Sequence, residues 1–172
     1  MVAQEIDRQA VTAALNEVVE FELAGVVRFT HYSLMVTGPH RIPIVAFLKQ
    51  QANESLLHAQ RAGEILTGYG GHPGMRIARL EETHQHSLKD ILAESHAHEL
   101  RAVGMYRRLL EMVADRSVYL EEYARSMIAA EEGSLIEFGK MLRDFSLADA
   151  ASPGAMLHPQ PKQSRRRRAE EE

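Results

Sequence analysis

Apolar residues recur at alternating intervals of four and three along most of this chain. That spacing is typical of α-helices that bury one face in a bundle. Four such stripes can be drawn, and each predicts one long helix. The four predicted helices cover about residues 5–36, 43–69, 87–114 and 118–145.

The breaks between the stripes predict how the helices connect. Gly38 follows the first stripe and is expected to take the left-handed conformation that ends a helix. Residues 70–86 show no clear periodicity and form a connection much longer than the two to eight residues usual in bundles. A link of this length can travel the whole bundle, so the second and third helices are predicted to run parallel. The predicted fold class is therefore all-α, a four-helix bundle with one long crossover.

Length and composition indicate one domain. The chain has 172 residues, of which 45% are hydrophobic and 26% charged, so it can bury a single core. Residues 1–150 are predicted to form the bundle. Residues 151–172 carry prolines and the basic run 165–168, and are predicted to be a disordered charged tail.

Several functional classes are disfavoured by the same totals. The chain has no cysteine, which excludes disulfides and thiolate metal sites. A net charge of −4 provides no general attraction to nucleic acid, so a nucleic-acid partner is not expected. No N-terminal apolar run is long enough for a signal peptide or membrane span, so we expect no membrane partner and a cytoplasmic location.

Acidic residues interrupt the apolar stripes at one depth. Glu22, Glu99 and Glu131 occupy stripe positions of the first, third and fourth predicted helices, and His58 occupies one of the second. Glu54 flanks that second stripe one turn before His58. Carboxylates facing one another in a core repel unless a proton or cation intervenes. The pattern therefore predicts a metal site, and its oxygen-rich donors suit iron or manganese better than zinc or copper.

Structural readings of the same residues remain open. Each acid could lie at the edge of its stripe and pair with an arginine such as Arg28, Arg61 or Arg101. A single core histidine such as His58 is more often hydrogen-bonded than metal-bound.

Four segments of the chain resemble the ligand segments of the bacterioferritins, within the ferritin-like superfamily. The resemblance extends over roughly residues 8–147, and it implies a di-iron ferroxidase centre that oxidises ferrous iron in a hollow storage cage. It also implies that Glu22 and His58 hold one iron and that Glu131 bridges both irons. The resembling segments are Phe21-Glu22-Leu23, His58-Ala59, His98-Glu99-Leu100 and Glu131-Glu132-Gly133.

The chain departs from that family pattern at two ligand positions. Ser55 stands where the second bridging glutamate is expected, with Glu54 one residue earlier, and Ser134 stands where a histidine is expected. The second iron, assigned to Glu99, is therefore depleted of ligands, and His96 is a possible substitute. Leu56 occupies the position of the family's haem-binding methionine, so haem is not expected.

A second, partial resemblance is to the miniferritins, which protect DNA. It rests on His31-Tyr32 and Gly38-Pro39-His40. The acids of the miniferritin inter-subunit metal site would fall at Gln60 and Glu64, so that site is incomplete here.

Three functions remain open on the sequence alone, beside the DNA-protecting function that the miniferritin resemblance implies. The first is an iron-storage subunit with ferroxidase activity in a homo-oligomeric cage. The second is a structural subunit that co-assembles with an active ferritin-like partner, which the serines at positions 55 and 134 favour. The third is a different di-metal enzyme on the same fold, such as a peroxidase or catalase.

Overall fold

A computed structural model of the chain describes residues 5–151, with side chains described as far as Phe145. The predicted tail, apart from Ala151 at its boundary, lies outside the described residues.

Four long helices account for most of the described chain, as the sequence predicts. No strand occurs between residues 5 and 151, which confirms the all-α class. Among the described residues, no helix combines the length and the hydrophobicity that a membrane span requires. The helices are α1 (Arg8–Met35), α2 (Arg41–Gly68), α3 (Leu88–Val113) and α4 (Val118–Ala151).

The helix ends follow local capping chemistry. The Asp7 side chain accepts a hydrogen bond from the Ala10 N–H at 3.0 Å, so α1 begins three residues after the predicted residue 5. Ser87 caps α3 in the same way. The predicted start of α2 at Pro43 is wrong by two residues. A proline is tolerated within the first turn of a helix because N–H groups there have no partner within the helix.

The crossover over residues 69–87 runs alongside α1. The Gly74 N–H donates to the Asn16 side chain at 2.7 Å, and the Ala78 N–H donates to the Glu20 carbonyl at 2.9 Å. Further on, the crossover reaches the C-terminal half of α1. After a short turn, α2 runs antiparallel to α1. A crossover that follows α1 in its own direction therefore brings the chain back to the end of the bundle where α2 began, and α3 starts there. The second and third helices are therefore parallel, as predicted.

The bundle core is divided by a polar layer at mid-height. One apolar cluster contains residues 11–19 of α1 and the facing parts of the other helices. A second cluster surrounds Phe29, Leu48 and Phe138. The buried polar residues between the two clusters are Glu22, Ser55, Ser95, His98, Glu99 and Glu131.

Candidate metal centre

Each helix contributes one predicted metal ligand at the level of the polar layer. Glu22 comes from α1, His58 from α2, Glu99 from α3 and Glu131 from α4. Each of the three glutamates is only 3% exposed. They are buried because the apolar residues one turn above and below them on the same stripe force that face inward.

Glu22, His58 and Glu131 converge on one point. One donor atom from each lies within 4.8 Å of the other two. Nδ1 of His58 is 2.7 Å from Oε1 of Glu131 and 3.7 Å from Oε1 of Glu22. The structure therefore brings together three of the five residues that the sequence indicates as metal ligands.

Glu99 joins the group through Glu131. The two carboxyl groups lie close enough for Glu131 to raise the pKa of Glu99. On the opposite side, the Tyr106 hydroxyl donates to Oε1 of Glu22 at 2.7 Å. Tyr106 therefore fixes the orientation of the Glu22 carboxylate, and the sequence alone does not indicate this contact.

Burial and mutual contact determine the protonation of these groups. Burial alone would lower the pKa of His58, but its contacts with Glu131 and Glu22 raise this pKa to about 10. Burial raises the pKa of Glu22, and raises that of Glu99 well above its usual range with a further contribution from Glu131. Burial would also raise the pKa of Glu131, but His58 and Glu99 lower it. These shifts favour an imidazolium at His58 and a protonated Glu99 on either side of an ionised Glu131.

The donor set fits a divalent cation. Despite the short contact with His58, the buried Oε1 of Glu131 receives no well-directed hydrogen bond. Buried carboxylate oxygens normally have such a partner, and a cation supplies one. Carboxylate oxygens with one imidazole are the donors that iron and manganese prefer.

The described residues do not show the alternative in which the core glutamates pair with arginines. Arg28 instead lies 3.6 Å from Glu94 and donates to the Tyr32 hydroxyl at 2.8 Å. Arg61 stacks over the Tyr123 ring at 5.1 Å. None of the three buried glutamates forms an ion pair with an arginine within the described chain.

Glu54 lies outside the converging cluster. Its carboxylate accepts hydrogen bonds from Gln50 at 2.9 Å and from Gln51 at 2.8 Å. It lines a cavity of about 410 Å³ between α2 and α4, together with His58, Ser134 and Glu137. The His58 side chain is 19% exposed, so it is the member of the cluster that reaches this cavity.

Ser55 lies at another part of the polar layer, against α1 and α3. A Cβ atom at Gly25 would be 2.7 Å from Oγ of Ser55 and 2.9 Å from Nε2 of His98. Ser55 and His98 therefore approach the same point on the α1 backbone.

His98 is a buried polar residue of the core, and the sequence analysis did not predict its burial. Its ring stacks on Phe21 at 4.2 Å, and its Nε2 is buried without a hydrogen-bond partner. Burial, aided by Arg28, lowers its pKa to about 4, so it is neutral at pH 7. The available signal was its position three residues after the core residue Ser95. The predicted substitute His96 is only partly buried and is in neither group of potential ligands found among the described residues.

Comparisons with known proteins identify the family and the fold. A family model described as a ferritin-like domain matches residues 12–148. No curated protein matches the chain.

Three solved structures illustrate the structural similarity. A ferritin-like, diiron-carboxylate protein from Bacillus anthracis is 21% identical with a TM-score of 0.75, over 81% of this chain and 99% of that one. A dodecameric thioferritin from Bacteroides fragilis, described as bacterioferritin-related, is 16% identical with a TM-score of 0.77, over 87% and 94%. A Rhodobacter capsulatus bacterioferritin is 20% identical with a TM-score of 0.73, over 94% and 99%. At such identities these similarities establish the fold.

Proposed function

The chain belongs to the ferritin-like family, and we propose that it binds ferrous iron at the mid-bundle centre, oxidises it and takes part in iron storage. The observation that carries this proposal is the convergence of Glu22, His58 and Glu131, from three different helices, within 4.8 Å in the core. Iron is the substrate here. It loses an electron to oxygen or peroxide, and the protein holds the reacting ion.

Each residue of the centre has a separate role in the proposal. Glu22 and His58 hold one iron, and Glu131 completes its ligands. The hydrogen bond from Tyr106 keeps Glu22 in a fixed orientation, as supporting partners of metal ligands commonly do. Glu54, at the cavity that His58 reaches, attracts cations from the α2–α4 side rather than bridging two irons.

The second iron position is weaker in this proposal. It retains Glu99, close to Glu131, but Ser55 and Ser134 are too short to act as the missing carboxylate and imidazole ligands. We therefore propose one firmly bound iron, and a second that is weak or exchangeable.

An assembly of many subunits is part of the proposal. Storage of mineral requires an enclosed space, and the Bacteroides fragilis relative is described as dodecameric. In the single chain, Leu34, Ile42 and Leu57 are 68%, 84% and 62% exposed. Contact with other subunits would remove these apolar side chains from water, which favours association.

A structural subunit is the second candidate, and the two serines favour it. Such a subunit would contribute shape to a mixed cage while an active partner oxidises iron. It would bind little or no iron itself, which separates the two candidates.

Iron stoichiometry and oxidation rate test the proposal. Anaerobic titration of the metal-free protein with Fe²⁺ should give about one tightly bound iron per chain, followed by slow oxidation on exposure to air. The double substitution Ser55→Glu and Ser134→His should raise this to about two and accelerate oxidation.

Glu131→Gln is the matched loss-of-ligand control, since it keeps the side-chain volume but removes the charge. It should abolish tight binding. If the unmodified protein binds no iron, the structural-subunit function is the correct one. Tight binding of two irons with rapid oxidation would show that other ligands complete the second position.

A further inference from the structure

A second group of potential metal ligands lies away from the mid-bundle centre. It contains His31 of α1 with Glu82 and His86 of the crossover, and one donor atom from each lies within 4.8 Å of the other two. Nε2 of His31 is 3.6 Å from Oε1 of Glu82, and the His31 and His86 ring centroids are 5.6 Å apart. No residue is shared with the first centre.

The group borders open space that can admit a ligand. A cavity of about 270 Å³ is lined by all three residues and by Tyr32 and Leu80. A cation held here could keep water on the side facing this cavity. The site would therefore be open rather than fully enclosed by protein.

His31 carries an unpartnered polar atom at this site. Its Nε2 is buried and makes no hydrogen bond, although the side chain as a whole is 39% exposed. Buried ring nitrogens without a partner are uncommon in folded proteins, and a bound cation would supply the missing interaction.

The crossover is anchored to the bundle between the two ligands that it contributes. The Thr83 hydroxyl donates to Oε1 of Glu94 on α3 at 2.6 Å. The next residue, His84, has a φ of 56°, in the left-handed region. Such conformations require support from their surroundings and are concentrated at functional sites. This anchored bend holds Glu82 and His86 against the same stretch of α1.

We propose that His31, Glu82 and His86 form a binding site for a divalent first-row transition metal such as Zn²⁺. Two imidazoles and one carboxylate are a donor set that binds zinc or ferrous iron while leaving a coordination position open. Zinc–ligand distances are about 2.0–2.2 Å, so two ligands of one ion lie at most about 4.4 Å apart. Nε2 of His31 and Oε1 of Glu82, which are 3.6 Å apart, meet this requirement.

Binding of the metal would fasten the crossover to α1. The crossover is the longest connection in the described chain, and it leads directly into α3. A link between His31 and His86 fixes its C-terminal end and reduces its freedom to separate from the bundle.

Zinc titration of the full-length protein tests the proposal. In calorimetry, the unmodified protein should bind one more zinc ion per chain than the double variant His31→Gln, His86→Gln. If the double variant retains the site, its affinity for zinc there should be at least about tenfold lower. His72→Gln is the matched control, because His72 is an exposed histidine of the same crossover that is outside the group. It should retain the site.

Amide hydrogen exchange gives a second readout that does not depend on counting sites. Zinc should slow exchange over residues 80–87 in the unmodified protein and in His72→Gln, but not in the double variant. Equal zinc stoichiometry and affinity in all three proteins, without slower exchange in this segment, would overturn the proposal. Glu131→Gln should leave this site intact, so its result is independent of the iron centre.

Discussion

At the scale of single residues, the main feature is how buried charges are neutralised. His58 lies against two carboxylates, and this contact, which outweighs the effect of burial, raises its pKa to about 10. Burial and Glu131 raise the pKa of Glu99 well above its usual range, which favours its protonated form. Imidazole must lose its proton before it can bind a metal. Binding of a metal cation at the centre therefore displaces protons from these side chains.

Proton release on metal binding follows from this exchange. At pH 7, binding of Fe²⁺ under anaerobic conditions should release about one to two protons per ion bound to the centre. Calorimetry in two buffers of different ionisation enthalpy measures this number. His58→Gln removes one of the protons and should release fewer for any metal that it still binds. Binding without proton release would show that His58 is not a ligand.

Because of His98, the free energy of unfolding of the protein should decrease as the pH falls. Burial and Arg28 lower its pKa to about 4 in the folded chain, from an ordinary value of 6.5. Between these values the unfolded chain binds the proton more strongly than the folded one, so stability decreases as the pH falls from about 6.5 to 4. The full difference corresponds to about 3 kcal/mol.

Urea unfolding of the metal-free protein at several pH values measures this effect. His98→Gln has no titrating group at that position, so its stability should depend less on pH across the same window. Identical pH dependence of the two proteins would contradict the neutral buried state of His98. The difference between the two proteins is the relevant quantity, because it removes the contributions of all other titrating groups.

At the scale of elements, the close contact of α1 with α2 and α3 depends on Gly25. Alanine at this position would place its Cβ 2.7 Å from Oγ of Ser55 and 2.9 Å from Nε2 of His98. Gly25 lies three residues after the stripe residue Glu22, but the sequence alone does not show which side chains approach it.

Gly25→Ala should therefore destabilise the protein by about 1–3 kcal/mol, because a packed core must shift to admit the methyl group. Gly104→Ala is the matched control, since a Cβ at Gly104 meets no atom within 4 Å. It should be neutral or stabilise by up to about 1 kcal/mol through higher helix propensity. Denaturant unfolding measures both changes. Equal effects of the two substitutions would contradict the tight approach at Gly25.

Helices and stripes were predictable because periodicity depends on residues a few positions apart. Glu22, Glu99 and Glu131 were found in this way, since each interrupts a regular stripe, and all three are buried. The contacts of the crossover were not predictable. His31 and Glu82 lie 3.6 Å apart in space but 51 residues apart in sequence, and no local pattern links them. The same limit applies to Glu54, whose hydrogen bonds to Gln50 and Gln51 depend on side-chain orientation.

At the scale of the whole molecule, the proposed storage role requires that surfaces exposed in one chain become buried between chains. Leu57 is 62% exposed on α2, next to the centre residue His58 but on the outer face. Leu56, also on α2, is 39% exposed. Adjacent exposed leucines on a long helix are expected at a subunit contact, because burying them there is favourable by the hydrophobic effect.

Leu57→Glu should therefore reduce the size of the assembly without unfolding the chain. A substitution at so exposed a position should change the stability of the isolated chain by no more than about 0.5 kcal/mol. Placed in an apolar interface, however, the same unpaired carboxylate loses its hydration and opposes association. Leu57→Met is the control, since it stays apolar and favours helix, and it should assemble like the unmodified protein. Light scattering after size-exclusion chromatography measures the mass, and circular dichroism checks the helices. If Leu57→Glu retains the mass of the unmodified assembly, this face of α2 is not a subunit contact.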